Sequence, residues 1–220
     1  MTLYSYVVRH ADGFAPNPYS GYCTLACCKP GIRRRAQVGD WIVGLAPKAR
    51  GSAIIYFMRV DEVLTFEDYW NDTRFEDKKP RLDGETSSRL GDNIYRPLDN
   101  GDFRQLQSKH SSGINENASN KEHDLSGLNV LVSRTFSYFG PPPAGHPLPP
   151  ALQALRVGRG YRCRFTAEIK DEFCRFAESN TKGGPALPLH GDSGVNCQPR
   201  ECAPAECTPS GKKKRKRRSC

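Results

Sequence analysis

The sequence predicts a single α+β domain over residues 1–190, built from a mixed or antiparallel sheet, a few helices and a long polar loop, with a disordered tail over 191–220. Three observations predict it. Strand-like runs crowd the first third of the chain, and the strongest amphipathic helical pattern comes late. A Gly-rich phosphate loop and a regular strand–helix alternation are both missing from the sequence, which argues against a doubly wound nucleotide fold. From about Gly191 onward nothing apolar remains to bury, and Pro, Ser, Gly and Cys dominate.

The elements follow in order. Residues 4–9, Tyr-Ser-Tyr-Val-Val-Arg, carry the aromatic and β-branched side chains that suit a pleated surface. His10-Ala11-Asp12-Gly13 turns the chain, and Pro16, Asn17, Pro18 and Gly21 extend the loop. Cys23 to Cys28 is short and apolar, a strand or the start of a helix, and Pro30-Gly31 ends it before a small basic cluster at Arg33, Arg34 and Arg35. Val38-Gly39-Asp40 turns into a short buried strand at Trp41-Ile42-Val43-Gly44. Residues 53–64 read as one long central strand, because its start is apolar on both faces. Thr65 is placed to cap a helix over Phe66–Trp70, with Glu67 and Asp68 in the first turn, where the helix dipole favours them.

Residues 71–127 are polar and carry almost no apolar period, so they read as a long loop holding one short strand near Asp92–Tyr95. Strand patterning returns at Leu128–Val132 and again through Phe136, Tyr138 and Phe139. Leu152 and Leu155 mark a short helix, and Tyr161–Phe165 a last extended segment. Ile169, Phe173, Phe176 and Ala177 recur at helical spacing, and Gly183-Gly184-Pro185 is expected to end that helix.

Charge is unevenly spread. Seven of the net +9 charges sit in the run 212–218, so the rest of the chain is close to neutral and any nucleic-acid contact by the domain needs a local patch. No run approaches the ~20 apolar residues of a membrane span. The first residues lack a secretory pattern, so the expected setting is cytoplasmic, with reduced thiols. In a nucleated cell the 212–218 run would serve as an import signal; it also suits non-specific nucleic-acid contact or simple solubilisation.

Candidate chemistry gathers at strand ends and in the polar loop. His10 and Asp12 form either an acid–base pair or a turn with a satisfied histidine. The stretch from Gln107 to Asp124 brings His110, Asn117, His123 and Asp124, whose donors and acceptors suit a base edge or a phosphate, or a solvated loop. Lys78, Arg89, Asp92, Asn93 and Tyr95 suit an anionic flat ligand, or a charged surface with Tyr95 packed beneath it. Trp41 is a base-stacking candidate, though a Trp opening a buried strand is more often core. Cys23, Cys27 and Cys28 have one cluster of thiols but no second pair, so no metal site is predicted. The sequence leaves the question of a cofactor open.

Several segments in order resemble a known family. They include Tyr4-Ser5-Tyr6-Val7-Val8-Arg9-His10, Gly13-Phe14-Ala15-Pro16-Asn17-Pro18, Gly39-Asp40-Trp41-Ile42-Val43-Gly44, Met58-Arg59-Val60, Phe66-Glu67-Asp68-Tyr69-Trp70, Gly91-Asp92-Asn93-Ile94-Tyr95 and Phe139-Gly140. Together they are similar to the second type of nucleotide-modification-associated domain, a bacterial and phage family, over about residues 3–188. The resemblance implies a role beside enzymes that modify bases in DNA, and it raises His10, Asp12, Asp92, Asn93, His110 and Asp124 as site candidates. The Gly39-Asp40-Trp41 turn and the strand after it also look like the opening strands of PUA-like barrels, which read RNA or modified bases. Three functions follow as expectations. The domain handles nucleotides or bases, with His10 or His110 as acid or base, Asp12 or Asp124 orienting it, and Arg89 and Lys78 meeting phosphate. Or it is a non-catalytic reader that stacks a base on Trp41 or Tyr95. Or it is an accessory protein that its basic tail brings to nucleic acid.

Overall fold

The structure, a computed structural model, describes residues 1–84 and 86–182, with only the backbone at 86 and 87. The expected domain boundary at 190, the Gly183-Gly184-Pro185 helix stop, the tail and its basic run lie outside the described residues.

The chain begins with β1 (Leu3–Val7), β2 (Cys23–Leu25), α1 (Pro30–Arg33), β3 (Trp41–Leu45), β4 (Ile54–Arg59), β5 (Glu62–Thr65) and α2 (Phe66–Asn71). It continues with α3 (Thr86–Arg89), β6 (Tyr95–Pro97), β7 (Phe103–Gln105), α4 (Ala118–Leu125), β8 (Asn129–Ser133), β9 (Phe136–Tyr138), β10 (Tyr161–Arg162) and α5 (Ala167–Asn180). Short 3-10 turns lie at Lys48–Arg50, Thr73–Lys78 and Pro150–Leu155.

The strands form a five-stranded sheet in the order β10-β1-β3-β4-β9, a three-stranded sheet β2-β8-β5 and a ribbon β6-β7. β1 and β3 run parallel, from Leu3↔Trp41 to Val7↔Leu45, and the other pairs are antiparallel. The architecture is therefore α+β with a mixed main sheet. That sheet ends at β10 and β9 and stays open among the described residues.

Alternation along β3 and β4 builds the layers. Trp41, Val43, Leu45 and Phe57 face α5 and the 150–155 turn, where Leu152, Leu155, Phe173 and Ala177 are buried. Ile42, Tyr56 and Met58 face the other way, onto Leu25 of β2 and Leu131 of β8. Period-two geometry makes both faces apolar here, because the sheet is covered on both sides. The second sheet turns Val130 and Val132 outward, onto Phe66, Tyr69, Phe75 and Tyr95. No helix among the described residues is long and apolar enough to cross a membrane.

Two expectations about elements change. The single strand over 53–64 is two strands in different sheets. The break is fixed at Asp61, whose Oδ2 accepts the Arg134 and Thr135 amides at 2.6 and 3.1 Å while its own N–H bonds Val132. The 71–127 loop is instead well furnished with short elements. It lacks a hydrophobic period because buried polar groups hold it. Lys78 Nζ donates to Asn17 O, Asn17 Oδ1 and Tyr22 O at 3.1, 2.7 and 2.8 Å. Asp92 accepts from Thr24 Oγ1 and Tyr69 OH at 2.7 and 2.8 Å. The Thr65 cap forms as expected: its Oγ1 accepts the Asp68 amide at 3.0 Å.

Candidate active site

β2 leads into a sharp turn before α1, and Cys28 stands on that turn. Pro30 opens the helix, where its missing N–H costs nothing. To reach it the chain takes two consecutive left-handed residues, Cys28 at φ 60° and Lys29 at φ 44°. Neither is glycine, so each conformation costs on the order of 1 kcal/mol and must be held by its surroundings. The Cys28 amide donates to Asp124 Oδ1 at 2.7 Å, and Arg33 Nε donates to the Cys28 carbonyl at 2.8 Å.

These contacts leave the Cys28 sulfur facing His110. Sγ lies 3.6 Å from Nε2, and Nδ1 of the same ring lies 2.6 Å from Asp124 Oδ2. Sulfur, imidazole and carboxylate thus stand in series, in the order used by cysteine nucleophiles. Asp124, at the end of α4, is 0 % exposed, whereas the His110 side chain is 19 % exposed and Cys28 is half-buried. The carboxylate is sealed in, whereas Cys28 and the ring are only partly buried.

The supports are specific. Asp124 Oδ2 also accepts from Tyr95 OH at 2.8 Å. Gln105 Nε2 donates to Tyr95 OH and to the His110 carbonyl, each at 3.2 Å, and Asn120 Nδ2 donates to that carbonyl at 3.0 Å. Phe14 packs against the imidazole, ring centroids 4.9 Å apart. Buried Arg33 donates to the carbonyls of Cys28, Asn129 and Asp124. Gly127 gives it room, since a Cβ there would occupy the space of the guanidinium.

Burial disfavours a charged His110, but the hydrogen bonds and charges of Asp124 and Cys28 outweigh it and raise the ring from 6.5 to about 10. Burial likewise works against ionised Asp124, and His110, the Cys28 amide and Arg33 together hold it below its ordinary value. The ring is therefore an imidazolium at neutral pH, with both nitrogens donating. Nδ1–H meets the carboxylate and Nε2–H meets sulfur, which then accepts.

The sequence candidates fall into different places. His110 and Asp124 are brought together. Asp12 accepts the Phe14 amide at 3.1 Å and pairs with Lys109, while His10 is exposed and makes no hydrogen bond among the described residues. Lys78, expected to meet phosphate, is 1 % exposed and bonded to three protein oxygens; burial lowers it to about 8. Asp92 and Asn93 are buried, with Asn93 Nδ2 donating to Tyr69 O at 3.0 Å. Tyr95 lies behind Asp124 and has no face free for stacking. Trp41 is 7 % exposed and wedged between Phe57 and Phe173. Arg89 lies on the surface with its Nε on Gly84 O, and Asn117 caps α4 through the Asn120 amide.

Cys28 is not among the catalytic candidates read from the sequence and enters through its contact with His110. It stood in the thiol cluster weighed for metal. The available signal was a Cys at a strand end just before a Pro-initiated helix. The ligand atoms of Cys27, His110 and Asp124 do lie within 4.8 Å of one another. Yet both Asp124 oxygens already accept from protein donors, and Cys27 Sγ donates to Asp92 O at 3.7 Å. This donor set is engaged with the protein and fits a metal ion poorly.

A family model described as Nucleotide modification associated domain 2 matches residues 1–192. No curated protein and no solved structure matches the chain.

Proposed function

The chain belongs to the nucleotide modification associated domain 2 family, and we propose that its domain is a cysteine-dependent enzyme acting on nucleotides or nucleic-acid bases in DNA modification. One observation carries the reading: Cys28 Sγ, His110 and Asp124 stand in series at 3.6 and 2.6 Å, with the carboxylate buried and Cys28 and the ring only partly so. The sulfur attacks an electrophilic carbon of the substrate and a sulfur–carbon bond forms. The group displaced from that carbon leaves with the proton held on His110 Nε2. Water or an amine then attacks the adduct, gives its own proton to the ring, and frees the sulfur. Asp124 keeps the ring oriented throughout, through the loss of its proton to the leaving group and the return of one from water or the amine.

The family link supports the nucleotide as substrate class. A non-catalytic reader with a PUA-like pocket is the competing reading, and it would need stacking residues other than Trp41 and Tyr95, both of which are packed inside. Recruitment by the basic run at 212–218 would be compatible with either reading.

The test is covalent trapping. The full chain is incubated with a panel of nucleotides and of modified and unmodified oligonucleotides, then examined by intact mass and peptide mapping. A substrate-derived adduct on Cys28 is expected, absent from Cys28→Ala, and formed about 10²-fold more slowly or worse in His110→Ala. Turnover undiminished in Cys28→Ala would overturn the reading.

A further inference from the structure

Lys29, the residue after Cys28, is a cation whose ammonium no protein oxygen meets among the described residues. The two fully buried cations are satisfied by the protein: Arg33 meets three carbonyls and Lys78 meets three oxygens of Asn17 and Tyr22. Lys29 is half-buried, and its Nζ stands 4.9 Å above the Tyr6 ring and makes no hydrogen bond or ion pair among the described residues. An aromatic face returns only about 0.5–2 kcal/mol to a partly desolvated ammonium and leaves its N–H groups unsatisfied. The backbone adds a second cost, because φ 44° suits Gly or Asn and not Lys. A lysine held at such a position is explained by what its ammonium meets when a ligand is bound.

We propose that Lys29 is an anion site beside the Cys28 sulfur, where it takes the phosphate of a nucleotide or of a polynucleotide strand. The proposal rests on the reading of Cys28 as nucleophile and adds the charge of the substrate to it. Burial lowers the Lys29 ammonium, the Cys28 sulfur opposes that, and Arg9 adds to it, so sulfur, Lys29 and Arg9 share one electrostatic neighbourhood. The charge of Arg9 would strengthen the preference for an anion. Tyr6, beneath the ammonium, is fixed by its hydroxyl contact with Tyr56 at 2.9 Å, so the platform under Lys29 is rigid.

Alkylation of Cys28 in the full chain tests this without a known substrate. Iodoacetate and iodoacetamide deliver the same bond formation, sulfur to carbon with loss of iodide, and differ in charge. Peptide mapping follows Cys28, with half-buried Cys163 and Cys174 as internal references. The preference of Cys28 for iodoacetate over iodoacetamide should fall about five- to tenfold in Lys29→Met and be kept in Lys29→Arg. In the unaltered protein, inorganic phosphate should slow iodoacetamide at Cys28 alone. Nucleoside 5′-monophosphate should protect better than the nucleoside. Protection by a short oligonucleotide that exceeds the monophosphate's would identify a strand as the source of the anion.

An unchanged preference in a folded Lys29→Met would overturn the proposal. Should that variant not fold, the absence of phosphate protection in the unaltered chain would overturn it equally. Cys28 no faster than Cys163 and Cys174 toward iodoacetamide would sink the nucleophile itself. A fast Cys28 with no preference for the anion removes only the role of Lys29.

Discussion

His110 and Asp124 hold each other in their charged forms, and this gives the pair a defined pH window. The ring is raised from 6.5 to about 10, so its contribution to stability is complete below 6.5 and is lost as pH rises toward 10. Asp124 is lowered from 3.8, so its contribution is present above that value and lost as pH falls through its lower folded value. Between 3.8 and 6.5 both hold. Melting of the protein and of His110→Asn should therefore differ most near about pH 5–6, and converge toward pH 10, with about 2–4 °C for each kcal/mol lost. A constant difference across that range would mean that the pair is not an ion pair in the folded protein. Gly127 makes a second case at this scale. A methyl group there meets an Arg33 guanidinium already committed to three carbonyls, so it cannot move aside cheaply. Gly127→Ala should cost about 1–3 kcal/mol and slow alkylation of Cys28, whose carbonyl Arg33 holds. Normal stability and normal alkylation together would show that Arg33 has another place to go.

Elements were legible where one face is apolar or a cap is local. Trp41, Val43 and Leu45 alternate with Ile42 and Gly44 and give β3; Thr65 and Asp68 give the start of α2; Ile169, Phe173 and Ala177 give α5. They were illegible where polar groups do the holding. The segment after α2 has no hydrophobic period because Lys78 and Asp92 are inside it, each satisfied by partners far away in sequence. The site divides in the same way. His110 and Asp124 lie 14 residues apart in one polar stretch, which drew attention to both. Cys28 lies 82 residues from His110, and its turn meets α4 through the pairing of β2 with β8 and the contacts of Cys28 and Arg33 with Asp124. The buried lysine makes this account testable. Lys78→Met keeps the volume and strands the oxygens of Asn17 and Tyr22, so it should cost about 3–5 kcal/mol by denaturant unfolding. A Lys78 that served phosphate instead would give a stable variant with weakened ligand binding.

At the scale of the whole molecule, the chemistry and the core under α5 are on opposite sides of the main sheet. α5 and the 150–155 turn cover the face of Trp41, Val43 and Phe57, while Cys28, His110 and Asp124 sit beyond the second sheet's attachment to the other face. Phe173 is the centre of the first side, buried completely and in edge contact with Trp41 and Phe57. Removing its ring leaves a cavity that the sheet cannot fill without bending β3 and β4 together, so Phe173→Ala should lower stability by about 3–5 kcal/mol. The layers also make a prediction about coupling. The triad is fixed by Arg33, Gln105 and Asn120, none of which belongs to the α5 side. Below its lowered melting point, Phe173→Ala should therefore alkylate at Cys28 at the unaltered rate and keep the same pH profile. A slowed Cys28 in a variant still folded by near-ultraviolet circular dichroism would mean that strain crosses the sheet. In that case α5 would be part of what positions the nucleophile, and the left-handed turn at Cys28 and Lys29 would be the first place to look for the displacement.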